Sequence, residues 1–123
     1  MLPVANNSAI SNDPTILLLS TSNTVYVIDT TTIIRIQSIS NYSKLFFSNG
    51  KTLVVAKVLK WFEESLSINQ FIRLHRTHLV NKKFIHQYIK GEGGKVKLVN
   101  GDWIDVSRRK KTFLLQCLYN PAA

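Results

Sequence analysis

The chain has 123 residues, 45% hydrophobic and 19% charged, which suits one domain with a buried core and excludes disorder by composition. No apolar run approaches the ~18 residues that cross a bilayer, and no basic stretch followed by an apolar one opens the chain as a secretory signal. A single cysteine, Cys117, excludes an internal disulfide and suits a reducing compartment, so a cytoplasmic location is expected.

Charge narrows the field further. Sixteen Lys+Arg against seven Asp+Glu give +9 and a pI near 9.9. Residues 1–34 hold only Asp13 and Asp29 and no cation, so residues 35–123 carry sixteen basic against five acidic side chains, a net +11. A surplus of that size attracts a polyanion: nucleic acid, anionic lipid or acidic protein.

In chain order, residues 1–13 are rich in Asn and Ser and read as a flexible leader, and Pro14 opens the ordered part. Short runs rich in Val, Ile, Thr, Tyr and Phe follow at 15–20, 24–29, 33–38, 44–48 and 52–55, broken by Asn, Ser and Gly, the pattern of short strands. Within 54–66 the period changes. Val55, Val58, Leu59, Phe62 and Leu66 recur at spacings of three and four, with Lys57, Lys60, Glu63 and Glu64 on the other side, which predicts an amphipathic helix with Lys60 and Glu64 paired. Strands are expected again at 71–75, 84–89, 95–99 and 103–106. Residues 108–118 place Phe113, Leu114, Cys117 and Leu118 at helical spacing, leaving 119–123 as a tail. The fold class is therefore mainly β with one internal and one C-terminal helix.

Asn49-Gly50 and Asn100-Gly101 mark hairpins, since both residue types tolerate positive φ. For the second, a three-residue loop from Asn100 to Asp102 would pair Leu98 with Ile104, Val96 with Val106 and Lys97 with Asp105. That register keeps one apolar face and sets opposite charges across the strands.

No residue set points to catalysis. Glu63 and Glu64 are adjacent on a helix and point about 100° apart, so they do not converge as an acid/base pair. His75, His78 and His86 with Cys117 lack metal-ligand spacing. Gly91 to Gly94 lacks the spacing of a phosphate-cradling loop and reads as a turn. Ser107 reads as a helix N-cap. No catalytic residue, metal or cofactor is expected, nor any small-molecule ligand or membrane partner.

The basic groups fall in three places: Asn41-Tyr42-Ser43-Lys44, Arg73 to Arg76 continuing to Lys82-Lys83, and Arg108-Arg109-Lys110-Lys111. The last crowds four cations into the first turn of the expected terminal helix, where the dipole is already positive, and so predicts an anion site.

These residues carry a family resemblance. Phe71-Ile-Arg-Leu-His-Arg-Thr-His-Leu-Val-Asn81 resembles the F-x-R-x-H-R-S-x-x-V-N segment of the LytTR family, a bacterial DNA-binding domain. Asn41-Tyr42-Ser43-Lys44 resembles that family's N-Y-x-x loop, and Val106-Ser107-Arg108-Arg109-Lys110-Lys111 its V-S-R-R/K stretch before the terminal helix. The resemblance spans about residues 15–118, with the domain itself expected over 14–118. Thr77 stands for the usual Ser, and His78 stands where an aromatic or aliphatic residue is common.

The resemblance implies an elongated arrangement of short, mostly antiparallel strands in small stacked sheets, whose loops enter successive major grooves on one side of a bent duplex. It implies sequence-specific binding of double-stranded DNA, with paired half-sites in the promoter and a dimer formed on them. The domain would then be either a stand-alone bacterial DNA binder or the output end of a longer regulator, such as a response regulator of a two-component system that controls transcription. Carried over by position, groove reading falls to the Asn41–Lys44 loop, to His75 and Arg76, and to Arg108. Individual residues keep a plainer alternative. Asn41 either contacts a base or shapes a turn, and Tyr42 either touches DNA or packs beneath the loop. Arg73 either binds phosphate or pairs with a carboxylate, and His75 either contacts DNA or bridges strands. Lys82 and Lys83 are a solvated or phosphate-facing pair. A module of the same fold that binds an acidic protein or an anionic surface is the alternative function.

Overall fold

The computed structural model describes residues 13, 15–92 and 94–119. Ten strands form three antiparallel sheets. β1 (Ile16–Ser20) and β2 (Val25–Asp29) make a two-stranded hairpin. β3 (Ile33–Ile39), β4 (Tyr42–Phe47), β5 (Thr52–Val55), β6 (Phe71–His75) and β7 (His78–Asn81) make the central sheet in the order β5-β4-β3-β7-β6. β8 (Ile85–Ile89), β9 (Lys95–Leu98) and β10 (Trp103–Asp105) make the third, in the order β10-β9-β8. Helix α1 (Leu59–Ser65) follows β5, and α2 (Lys111–Tyr119) closes the described chain. No described helix is long and apolar enough to cross a membrane.

The β3-β7-β6 part of the central sheet is buried on both faces, which explains its sequence. Ile33 and Ile36 of β3, Phe71 of β6 and Leu79 of β7 join one core with Leu17, Leu19 and Ile28 of the first hairpin and Leu59 and Phe62 of α1. Ile34, Ile72, Leu74 and Val80 turn to the other face, where Val96, Leu98, Ile104, Val106 and Leu114 complete a second core. Each fully buried Leu or Ile in these layers contributes about 1.5–3 kcal/mol. Covered on both sides, the inner strands read as apolar runs rather than alternating patterns. A bulge between Ile33 and Arg35 lets β3 serve both cores.

That two-sided burial hid β7. Its four residues show no period, yet it lies between β3 and β6. The internal helix is also shorter than its periodicity over 54–66. Val54 and Val55 belong to β5, where they pair with Lys44 and Ser43, because the ladder satisfies their backbone groups. The terminal segment begins as a 3-10 turn at Arg108–Lys110 and becomes α-helical only at Lys111, and the Ser107 side chain makes no capping bond.

The Asn100-Gly101 hairpin does not set Asp105 opposite Lys97. Trp103 lies opposite Lys97, Ile104 opposite Val96 and Asp105 opposite Lys95, so Asp105 pairs with Lys95 (3.7 Å) rather than with Lys97. The loop is Val99-Asn100-Gly101, closed by Leu98 N–H donating to the Asp102 carbonyl (2.9 Å). Gly101 sits at φ +96°, as the last residue of a three-residue loop requires. Ser48-Asn49-Gly50 repeats this turn, with Gly50 at φ +87° and Phe47 N–H donating to Lys51. Because the slip from the expected register is two residues, Val96, Leu98 and Ile104 still face the core.

Of the leader, Asp13 alone is described; it accepts from the backbone N–H and hydroxyl of Thr15. The rest of the expected leader and residues 120–123 of the tail lie outside the described residues.

Candidate nucleic-acid interface

Antiparallel pairing decides which turns share an edge. β3 ends and β4 begins at the Ser40-Asn41 turn, β6 ends and β7 begins at Arg76-Thr77, and β3 lies beside β7. Gln37 pairs with both Lys44 and His78, and Ser38 N–H donates to the Thr77 carbonyl (2.9 Å), so both turns leave the same end of the central sheet. Two strand spacings, about 10 Å, separate them. On the outer side of β6, Ser107 N–H donates to the Leu74 carbonyl (2.8 Å), which brings Arg108 to that end as well. Three segments far apart in sequence thus line one end of the sheet, about 15–20 Å across by strand spacing.

Not every expected residue lies there in the expected form. Only Asn41 of the Asn41–Lys44 segment is in a turn; Tyr42, Ser43 and Lys44 are already in β4. Ser43 is fully buried, its hydroxyl donating to the Lys57 carbonyl (2.7 Å), so it holds β4 to the end of β5 and presents no side-chain surface to solvent. Tyr42, 49% exposed, presents its ring to solvent at the same end. Lys82 and Lys83 lie beyond Asn81, at the far end of β7 from Arg76, about 16 Å away by strand rise. They form a separate basic site rather than a continuation of the Arg73–Arg76 cluster. Asn81 is structural: its amide donates to the Ile33 carbonyl (2.9 Å) and its oxygen caps Lys83 N–H (3.2 Å).

Arg73 is held within the molecule. Its Nη1 meets Glu63 Oε1 of α1 at 2.6 Å, Nε donates to the His75 carbonyl (3.0 Å) and Nη2 to the Arg76 carbonyl (2.6 Å). The guanidinium therefore clamps the β6–β7 turn from below. His75 adds to the clamp, its Nδ1 accepting from Thr77 N–H (3.3 Å) and lying 2.9 Å from the Thr77 hydroxyl. Arg76 itself is exposed at the turn and makes no salt bridge among the described residues. Arg108 is 77% exposed, with a single loose contact to Glu92 at 3.5 Å. Arg109 is exposed, Lys110 and Lys111 half-buried, and Lys111 Nζ reaches the Gly91 carbonyl at 3.5 Å.

One support escaped the sequence reading. Arg35, buried in the run Ile33-Ile34-Arg35-Ile36, donates from Nε to Asp102 Oδ2 (2.9 Å) and from Nη1 to Gln37 (2.9 Å), its guanidinium 3.7 Å over the Phe46 ring. A cation inside an apolar strand needs such a partner, which was the available signal. It ties the central sheet to the Asn100-Gly101 turn. His78, across from His75 with ring centroids 5.8 Å apart, is held at a pKa of about 4 by burial and then by Arg35 and His75, with Asp105 opposing. It is thus the neutral aromatic filler that its position asks for. Its Nδ1 has no hydrogen-bond partner among the described residues. Among the described residues, no three His, Cys, Asp or Glu side chains come together as a metal site would need.

A β scaffold with polar and basic, solvent-facing segments gathered at one sheet end fits a nucleic-acid-binding class of domain. The comparisons give its family. Residues 23–118 match the model of the LytTR DNA-binding domain, and the chain belongs to that family. The fold is also that of the LytTR DNA-binding domain of a putative methyl-accepting/DNA response regulator from Bacillus cereus, with a TM-score of 0.71 at 19% identity, covering 85% of this chain and 96% of that one. A search of curated proteins found no match.

Proposed function

We propose that this domain binds double-stranded DNA sequence-specifically as the output of a bacterial transcriptional regulator, through the sheet end that carries Asn41, Arg76 and Arg108. The observation that supports this reading most is the convergence of three polar and basic segments, distant in sequence, on one edge. Arg76 and Arg108 are the base readers, since a planar guanidinium pairs with two guanine acceptors at once. Asn41 and Tyr42 flank them. Lys44, Arg109, Lys110 and Lys111 hold phosphates, and Lys82 with Lys83 meets the backbone further along. Arg73 and His75 position the Arg76 turn and Ser43 the Asn41 turn, without touching DNA.

A row of 15–20 Å falls short of the ~34 Å between successive major grooves on a straight duplex. Contact with two grooves therefore draws the duplex into a bend toward the protein, at a cost that depends on sequence. Paired half-sites follow, because one such edge reads few base pairs.

Selection of bound sequences from random duplex DNA tests the reading. Enrichment of a motif, with log K falling by about 0.9 per phosphate contact against log salt, is expected. Salt-dependent binding without enrichment would instead assign the basic edge to a non-specific polyanion.

A further inference from the structure

The first hairpin is cation-free: residues 13–34 hold Asp13 and Asp29 and no Lys or Arg, against +11 over residues 35–123. Among the described residues its strand β2 pairs only with β1, and Val25 and Val27 are 59% and 67% exposed. The ladder reveals which main-chain groups are engaged. Thr21 N–H donates to the Thr24 carbonyl and Thr30 N–H to the Thr15 carbonyl. By the alternation of antiparallel pairs, Tyr26 and Ile28 bond to β1, whereas the N–H and C=O groups of Val25, Val27 and Asp29 point away from it, the Asp29 carbonyl accepting from the Thr32 hydroxyl (2.7 Å).

Such an edge is ordinarily guarded by Lys, Pro, a bulge or a covering segment. Among the described residues, four of the other five sheet edges have guards: Lys51 and Lys57 flank β5, Ser107 bonds to β6, β8 is bulged and β10 has three residues; the fifth, β1, has Leu17 and Leu19 buried where β2 has Val25 and Val27 exposed. β2 has none among the described residues; its sequence is Val-Tyr-Val-Ile-Asp and its register with β1 is unbroken.

We propose that β2 is a self-association edge, which pairs with β2 of a second copy, antiparallel about a two-fold axis at Val27. This register sets Val27 against its own mate and Val25 against Asp29, and gives every outward N–H and C=O a partner. Charge selects the occupant. Two copies of a +9 chain meet here without opposing a cation to a cation, whereas faces built from residues 35–123 meet like charge. The Asp29 carboxylate lies opposite valine, and Thr31 already donates to it from backbone N–H (2.9 Å) and hydroxyl (2.6 Å). A two-fold strand addition of this size is a weak contact, one that neighbouring binding sites would strengthen by raising local concentration. The inference stands apart from the DNA-binding reading, and its test contains no DNA.

The test uses the full chain in a Cys117→Ser background. Under mild oxidation Val27→Cys is expected to form a disulfide dimer. Val25→Cys is expected not to, because its mate lies about 13 Å away along the strands, beyond disulfide reach. In sedimentation equilibrium, Val27→Lys is expected to raise the dimer dissociation constant at least about fivefold while leaving the thermal midpoint unchanged. Wild-type protein that stays monomeric at every concentration, or equal cross-linking at both cysteines, overturns the proposal. So does amide protection of Val27 that persists on dilution and vanishes on deleting residues 1–12, which would assign the edge to the chain's own N-terminal segment.

Discussion

Replacing Arg73 with Met separates a structural clamp from a DNA contact. The substitution keeps the apolar stem and removes the guanidinium, with its bonds to Glu63 and to the His75 and Arg76 carbonyls. A hydrogen bond to a charged group is worth about 1.5–3 kcal/mol. Here the full sum does not apply. Glu63 is 41% exposed, so that ion pair is screened, and water recovers part of both carbonyls at the turn. A loss of about 2 kcal/mol is expected, or roughly 10 °C in thermal midpoint for a domain of this size. Glu63→Gln should cost about 1 kcal/mol in the wild type and close to nothing beside Arg73→Met, a coupling that a double-mutant cycle in urea measures directly. DNA affinity should fall roughly three- to tenfold through a loosened Arg76 turn, with the slope of log K against log salt unchanged. If instead stability holds and the slope drops by about 0.9, Arg73 is a phosphate ligand and the clamp is wrong.

Arg76→Ala and Arg108→Ala should each cost about 1–3 kcal/mol in binding and relax preference at one operator position, whereas Lys82→Ala should weaken all sequences alike and lower the salt slope by about one contact. Equal loss by Arg108→Ala on every single-base operator variant would make Arg108 a backbone clamp. Stability should decline as pH falls from 6.5 to about 4, because unfolded His78 takes up a proton near 6.5 and the folded imidazole only near 4. With allowance for its partial exposure, that window holds about 2 kcal/mol, and urea midpoints of His78→Gln should lose this part of the pH dependence. Gly94→Ala should be the costlier of two glycine changes, about 2–3 kcal/mol by thermal unfolding. There φ is +87° and a Cβ would come within 2.6 Å of the Ile89 carbonyl oxygen. Gly101→Ala, at φ +96° with open space around it, should cost about 1 kcal/mol.

Much of the architecture was legible along the chain because local patterns carry it. β-branched runs between Asn, Ser and Gly marked nine of the ten strands, and the segregation of charge beyond residue 34 pointed to a polyanion. The Phe71–Asn81 segment carried the family. What local patterns could not convey is anything that depends on which strands become neighbours. β7 was invisible because a strand buried on both faces shows no period. The helix over 54–66 lost Val54 and Val55 to β5, whose backbone bonds outweighed the apolar spacing, and begins only at Leu59, after the N-cap Val58.

The candidate site divides along the same line. Residue type marked three polar and basic segments, and the family resemblance picked out Arg76 and Arg108 within them. Their meeting at one sheet edge came from the order β4-β3-β7-β6 and from one bond between Ser107 and Leu74, both long-range facts. Tertiary structure also sorted cations that look alike in sequence. Arg73 and Arg35 are engaged by Glu63 and Asp102, at sequence separations of 10 and 67, while Arg76 stays exposed three residues from Arg73. A side chain's charge is written in its residue type. Whether that charge is satisfied inside the protein or offered to a ligand depends on what folding brings within 3 Å of it.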